Sequence, residues 1–365
     1  MKWQIIFSGL RARPVRTGVT IMAVSLQVAL ILVIVGLTTG TANEIGKRIA
    51  GVGADIMFQA PGADVLLAAN GANLKEKYGS ELATKDGIQR VAPVLVKIST
   101  APLVNIFGID PQSFDEVSGG FEYLDGKVFS EPDEIVIDDI FSRDKKLKVG
   151  DSIELIKHTF KVSGIVLNGK GSRVFMGLKA SQDLNNSPNM VSIFFIKLKD
   201  SRNINGAIEK LSADFPGYEL RNVPEYAALM NGASIPGFDA FNAVVVFVAL
   251  CIGVMVIFLS MYTTIMERTR EIGILRSLGA SKMFIVTLIM KESILLCVIG
   301  VILGTMGRYL IVSIAKSFFP SLAFMIDYKW MIIAAISALV SGVVGSLHPA
   351  LKAASQDPVE AFAYE

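Results

Sequence analysis

Four stretches of this chain, 19–37, 241–265, 293–314 and 330–347, are apolar and long enough to cross a bilayer. A hydrocarbon core of about 30 Å needs roughly 20 helical residues. Lipid offers no partner to a free N–H or C=O, so each stretch is expected as a helix and not as an open strand. Apolar residues make up 52% of the chain, charged residues 19%, and mean hydropathy is +0.52, yet residues 41–240 read as an ordinary soluble domain. The expected fold class is an α+β integral membrane protein: four transmembrane helices, with a large mixed α+β extracytoplasmic domain inserted between helices 1 and 2. The first span is longer than the apolar run of a secretory signal, about 7–15 residues. It continues into 38–43 with a poor small-residue cleavage site, so an uncleaved anchor is expected.

Lysine and arginine near the span ends set the orientation. Lys2, Arg11, Arg13 and Arg16 precede the first span; Arg268, Arg270, Arg276 and Lys282 lie between the second and third; Lys352 follows the fourth. The connector between spans three and four holds only Lys316 and Lys329. Both termini are therefore expected in the cytoplasm of a plasma (inner) membrane protein, with the large domain outside. Residues 41–240 carry 22 Lys/Arg against 26 Asp/Glu, and the remainder 13 against 7, net charges of −4 and +6. The basic excess thus lies where anionic headgroups attract it, and nothing indicates nucleic-acid binding. Cys251 and Cys297 both fall inside spans and are read as buried, inert packing residues.

The chain divides into a cytoplasmic interfacial helix (1–18), span one (19–40), the outer domain (41–240), span two (241–265), a cytoplasmic connector (266–282), span three (283–314), a short outer loop (315–329), span four (330–348) and a cytoplasmic tail (349–365). Residues 1–16 mix Trp3, Ile6, Phe7 and Leu10 with cations, which suits a helix lying on the leaflet. In the outer domain, strands are expected at 55–59, 91–98, 103–108, 134–137, 152–156, 161–166 and 191–197, and helices at 74–78, 204–215 and 225–230. That mixture points to a mostly antiparallel sheet. Residues 42–50 extend span one outward as a helix, whereas Pro236-Gly237 predicts a break before span two.

The connector 267–280 has helical chemistry. Ile272, Leu275 and Leu278 recur every three residues as an apolar stripe, with Arg268, Arg270, Glu271 and Arg276 around it. Gly279 is placed to stop the helix and Ser281 to cap the next one. Glu267 and Glu271 are a like-charge i,i+4 pair that needs compensation by local arginines or by an external cationic surface. Further on, Glu292 either marks the interface or faces a neighbouring helix and transmits motion. Arg308 is expected to snorkel outward beside Tyr309. Gly300 with Gly304, and Gly342 with Gly345, offer small-residue faces for close helix approach.

Arg270-Glu-Ile-Gly-Ile-Leu-Arg-Ser-Leu-Gly-Ala280 resembles the signature of the MacB/FtsX/LolC-type permeases of ABC transporters, where Ala commonly stands at the place of Ser277. Glu292 sits where that family often has an acidic residue. Pro349-Ala350 with Ala353, Ala354, Asp357-Pro358 and Ala361 resembles its tail, and Gly53-Ala-Asp-Ile-Met57 with Val91-Ala-Pro93 the start of its outer core domain. The resemblance implies a mechanotransmission permease without its own ATPase site. Glu267, Arg268, Arg270, Glu271, Gly273, Leu275, Arg276, Leu278 and Gly279 would couple to a cytoplasmic ABC ATPase. Glu292 would couple within the membrane, and Pro349, Ala350 and Pro358 would form the tail contact. ATP and Mg²⁺ would belong to the partner ATPase, with no cofactor in this chain. A second permease copy (a homodimer) or a related permease, a periplasmic adaptor and membrane lipids are the other implied partners. The implied substrate is a lipid, lipoprotein, peptide or drug-like molecule, exported or extracted.

The sequence lacks a Gly-x-x-x-x-Gly-Lys-Ser/Thr phosphate loop. Asn168-Gly-Lys-Gly-Ser172 is glycine-rich but reads as a hairpin turn. His158 and His348 have no metal-ligand spacing around them. Asp138-Asp139 and the Glu131/Asp133/Glu134 group read as acidic turns on a solvated face, and no catalytic arrangement stands out. The competing readings are an FtsX-like regulator of cell-wall hydrolysis, whose outer domain is usually smaller, and a membrane-anchored ligand sensor.

Overall fold

The computed structural model describes residues 14–62, 74–231, 238–325 and 327–355. The expected interfacial helix up to residue 13, the Pro236-Gly237 break, and Pro358 in the tail lie outside them. Contacts divide the chain into a helical unit (1–40, 236–317 and 324–365) and a sheet unit (41–235 and 318–323).

Four long helices carry the apolar stretches: α1 (Pro14–Ala50), α8 (Phe238–Glu267), α10 (Lys282–Phe318) and α11 (Tyr328–Ser355). Each is long and apolar enough to cross a membrane. A short helix, α9 (Thr269–Ser277), lies between α8 and α10. Val24, Val28, Ile31, Ile257, Ile285, Leu296, Ala334 and Ala338 are among the residues of their common core. Small residues set how closely the helices approach. A Cβ on Gly300 would run into Val24, one on Gly304 into Ser25 and Val28, and one on Gly345 into the backbone of Val254. Outward positions such as Met22, Leu26, Phe247, Met255 and Leu310 are apolar and exposed, which suits lipid. Cys297 is buried, but Cys251 is exposed on α8, so only one of the two cysteines packs inside. Arg308 does not reach outward: it is buried, and its guanidinium donates to the Met325 carbonyl (3.1 Å) while lying over the Tyr309 ring.

The described residues of the sheet unit form twelve strands, β1 (Ile56–Gln59), β2 (Leu74–Lys75), β3 (Ile88–Thr100), β4 (Leu103–Ile109), β5 (Tyr123–Gly126), β6 (Glu134–Asp138), β7 (Ser152–Leu155), β8 (His158–Val166), β9 (Val174–Gly177), β10 (Met190–Val191), β11 (Ile193–Leu198) and β12 (Glu219–Asn222). Ten form one sheet in the order β12-β1-β11-β3-β4-β9-β6-β8-β5, with β7 also paired to β8; β2 and β10 form a small second sheet. Only β4–β9 and β6–β8 are parallel among the described pairs. Its described residues also form helices α2 (Tyr78–Ala83), α3 (Pro111–Ser118), α4 (Asp139–Lys145), α5 (Leu178–Leu184), α6 (Ile204–Asp214) and α7 (Val223–Asn231).

Alternation along the strands sorts the core. Phe194 and Ile196 join one buried cluster with Phe58 and Leu95; Ile106, Ile135, Ile137 and Phe160 join a second. Phe107, Phe175 and Phe195 point to the other face, where Phe114 of α3 meets Phe175. Three expectations fail here. Residues 74–78 hold a two-residue strand and the first residue of α2, because Leu74 pairs with Val191 across β10. The Asn168–Ser172 stretch is no hairpin turn, since β6 lies between β8 and β9; it is a crossover loop. Asp138 is buried at 1% exposure, not solvated, because it ends β6 and caps α4.

Candidate coupling site

Arg268 is where α8 gives way to α9: its backbone is non-helical, and Thr269 turns its hydroxyl back to donate to the carbonyls of Ile265 (3.1 Å) and Met266 (2.9 Å). The chain then re-forms a helix over Thr269–Ser277, shorter than the 267–280 stretch with helical chemistry. It ends in a Schellman motif. The Ala280 N–H donates to the Leu275 carbonyl and the Gly279 N–H to the Arg276 carbonyl, both at 3.0 Å, with Gly279 at φ +94°. Ser281 caps α10 through its hydroxyl, which accepts from the Phe284 N–H (3.2 Å).

One face of α9 is pinned to the helical core. Ile272 and Gly273 are buried, Leu275 is partly so, and Ile272 shares its cluster with Ile285, Ile289, Ala350, Ala353 and Ala354. Three charged ties add direction. Arg268 donates to both Glu292 oxygens (3.2 and 3.4 Å) and lies 3.9 Å from Glu271. Arg276 donates to the Ala354 carbonyl on α11 (2.9 Å). Glu267 pairs with Arg16 on α1 (2.6 Å). Glu292 is 7% exposed, so it does face another element, and that element is the α8–α9 turn. A buried ion pair broken on one side leaves a stranded charge, so the Arg268–Glu292 tie holds the helix in place more firmly than its net energy suggests. Pro349 and Ala350 are buried in α11, inside the bundle rather than on a free tail.

The opposite face is open. Arg270, Glu271, Ile274, Ser277, Leu278 and Gly279 are exposed, Leu278 at 79%. The expected 272/275/278 stripe therefore breaks: the Schellman turn swings Leu278 outward beside Ile274, so two apolar side chains share the exposed face with Arg270 and Glu271. Sequence reasoning missed Arg16 and Ala354 as anchors. Opposite charge near two span ends was the only trace of the first, and a backbone carbonyl leaves none.

The described residues form four helices long and apolar enough to cross a membrane, with a strand-rich domain after the first and a pinned amphipathic helix between the second and third. Residues 17–214 match the model of the MacB-like periplasmic core domain, and residues 243–358 that of the FtsX-like permease C-terminal region. The chain belongs to the MacB/FtsX-type permease family. It is 24% identical to the macrolide export ATP-binding/permease protein MacB of Mannheimia succiniciproducens, over 100% of this chain and 61% of that one. It is 26% identical to the pyoverdine export ATP-binding/permease protein PvdT of Pseudomonas fluorescens, over 96% and 57% respectively. The chain thus spans about 60% of the length of these relatives. Among solved structures, the periplasmic region of MacB from Actinobacillus actinomycetemcomitans aligns with 52% of this chain and 99% of its own, at 18% identity and TM-score 0.38.

Proposed function

We propose that the chain is the permease subunit of a mechanotransmission-type ABC transporter. In this reading both termini and α9 are cytoplasmic, and a separate ATPase, which binds ATP and Mg²⁺, seats on the exposed face of α9. Closure of the ATPase pair pushes α9. The Arg268–Glu292, Arg276–Ala354 and Glu267–Arg16 ties pass that push to α10, α11 and α1, and the extracytoplasmic domain changes shape. Four spans per chain favour pairing with a second copy or a related permease, and a periplasmic adaptor fits the same scheme. The substrate is a lipid, lipoprotein, peptide or drug-like molecule, exported or extracted at the outer face; relatives named for macrolide and pyoverdine export favour a small-molecule cargo within that set.

The observation that carries the reading is the division of α9 into a tied face and an open one that mixes Ile274 and Leu278 with Arg270 and Glu271. An exposed apolar pair flanked by charge is what a docking helix needs and what a solvated connector avoids. The test is to reverse the exposed charges, Glu271→Lys and Arg270→Glu, and to measure co-purification with the ATPase and its turnover. Both are expected to fall at least tenfold with the chain still inserted. Native binding and turnover in both variants would remove the lever. Arg276 is a poor choice for this test, because its side chain also holds α11.

A further inference from the structure

A second charged cluster lies within the sheet unit, where the C-terminal residues of α1, from Thr41 onward, belong. There the helix end meets the glycine-rich loop. Gly51, just after α1, stands so close to the Gly169 backbone that no Cβ fits between them, and a Cβ on Gly171 would collide with Val52 and Phe107. The loop is itself tied down. Lys170 donates to the Ser118 carbonyl at the end of α3 (2.6 Å), and Ser172 donates to the Asn105 carbonyl of β4 (2.5 Å). Arg173 follows, 7% exposed. Its guanidinium donates to the Glu44 carboxylate of α1 and to the Ser321 carbonyl of the 318–323 segment (3.0 Å). Glu44 is also 3.7 Å from Arg48, one helical turn on. The buried carboxylate of Asp138 faces both arginines from β6, whose Asp138 N–H donates to the Arg173 carbonyl (2.8 Å).

We propose that 168–173 is a socket gripping the 41–50 end of α1, with Arg173 the positioning residue that makes that end, the 318–323 segment and the sheet move as one body. The glycines bring backbone against backbone, so the grip does not depend on side chains free to swing. Arg173 holds two separate parts of the chain, one leading from span one and one from the connector between spans three and four. Sliding α1 in the socket would strand a buried guanidinium and a carboxylate together, which is costly. A helix end that merely packs would need neither tie. The consequence for transport rests on the proposed function; the socket does not.

The test uses the full chain in lipid nanodiscs with Cys251 and Cys297 replaced by serine and nitroxide labels at Lys47→Cys on α1 and Lys161→Cys on β8, both exposed positions. The unaltered socket is expected to give one narrow distance distribution. Arg173→Glu should broaden it at least twofold, and Arg173→Lys should keep it narrow. An unchanged distribution in Arg173→Glu overturns the proposal. So does equal broadening by Lys and Glu. None of these readings needs an ATPase, so a chain that proves uncoupled from ATP would sink the transport reading and leave the socket result standing.

Discussion

Asp138 shows how one side chain can serve local structure at a cost. It caps α4, its carboxylate accepting from the Phe141 N–H at 2.6 Å, while 1% exposed. Burial pushes its pKa from 3.8 up to about 6; the Phe141 N–H and the guanidiniums of Arg173 and Arg48 pull it back only in part. Because the folded state holds this proton more tightly than the unfolded chain does, the contribution is full below about pH 3.8 and is lost as pH rises to about 6. The loss is on the order of a few kcal/mol. Asp138→Asn keeps a capping oxygen without the charge. At pH 7 it is expected to slow hydrogen exchange of the β6 and β8 amides at least tenfold against the native chain, and the gap should close toward pH 4. A gap independent of pH would show that the charge carries no cost. Gly279 makes the complementary case: at φ +94° a Cβ is strained, so Gly279→Ala should cost about 1–2 kcal/mol locally. Faster exchange at the 278–280 amides would report it, and unchanged protection would count against the Schellman stop.

At the scale of elements, what was legible follows from what each element's neighbours demand. The four spans stood out because lipid requires one long apolar run apiece. Most of the sheet was visible as short β-branched and aromatic runs bounded by turn residues, and strands such as β1, β6 and β11 are buried along nearly their whole length. The short helix was visible as chemistry, with its stop at Gly279 and the cap at Ser281. Its facing was not: Leu278 has the spacing of a buried residue and lies 79% exposed, because the turn at Gly279, and not helical periodicity, decides its direction. The glycine-rich loop misled for a related reason. Glycine allows tight turns and close backbone approach alike, and only the placement of Gly51 tells which is in use. Arg268 and Glu292, 24 residues apart, meet only because the α8–α9 turn folds against α10. Each single reversal, Arg268→Glu or Glu292→Arg, should cost about 3–5 kcal/mol. The double reversal should recover most of the folded yield from membranes; failure to recover would mean the pair's orientation, not its charge, matters. Gly304→Val should separate α1 from α10, since even a Cβ meets the Ser25 carbonyl. Thermal inactivation at least 5 °C lower is expected, and an unchanged midpoint would deny that contact.

For the whole molecule, the mechanism requires one topological fact: α9 and the sheet unit must lie on opposite sides of the membrane. Two spans, α1 and α8, flank the sheet unit in sequence, and α8 leads directly into α9. If α8 crosses the bilayer fully, a probe on the sheet and a probe on the α8–α10 connector cannot share a compartment. Leu103 (81% exposed) and Leu278 (79% exposed) are suitable single sites, one in each place. Cys251, exposed within an apolar helix, should be shielded by lipid from a charged maleimide. In intact cells, Leu103→Cys is expected to react at once with that reagent, and Leu278→Cys only after the membrane is opened. The arginines near α9 favour this sense, because cations are retained on the cytoplasmic side. Reaction of both sites in intact cells would place the exposed Arg270–Leu278 face outside, beyond reach of any ATP-driven motor. The tied face of α9 would then be left with structural work alone.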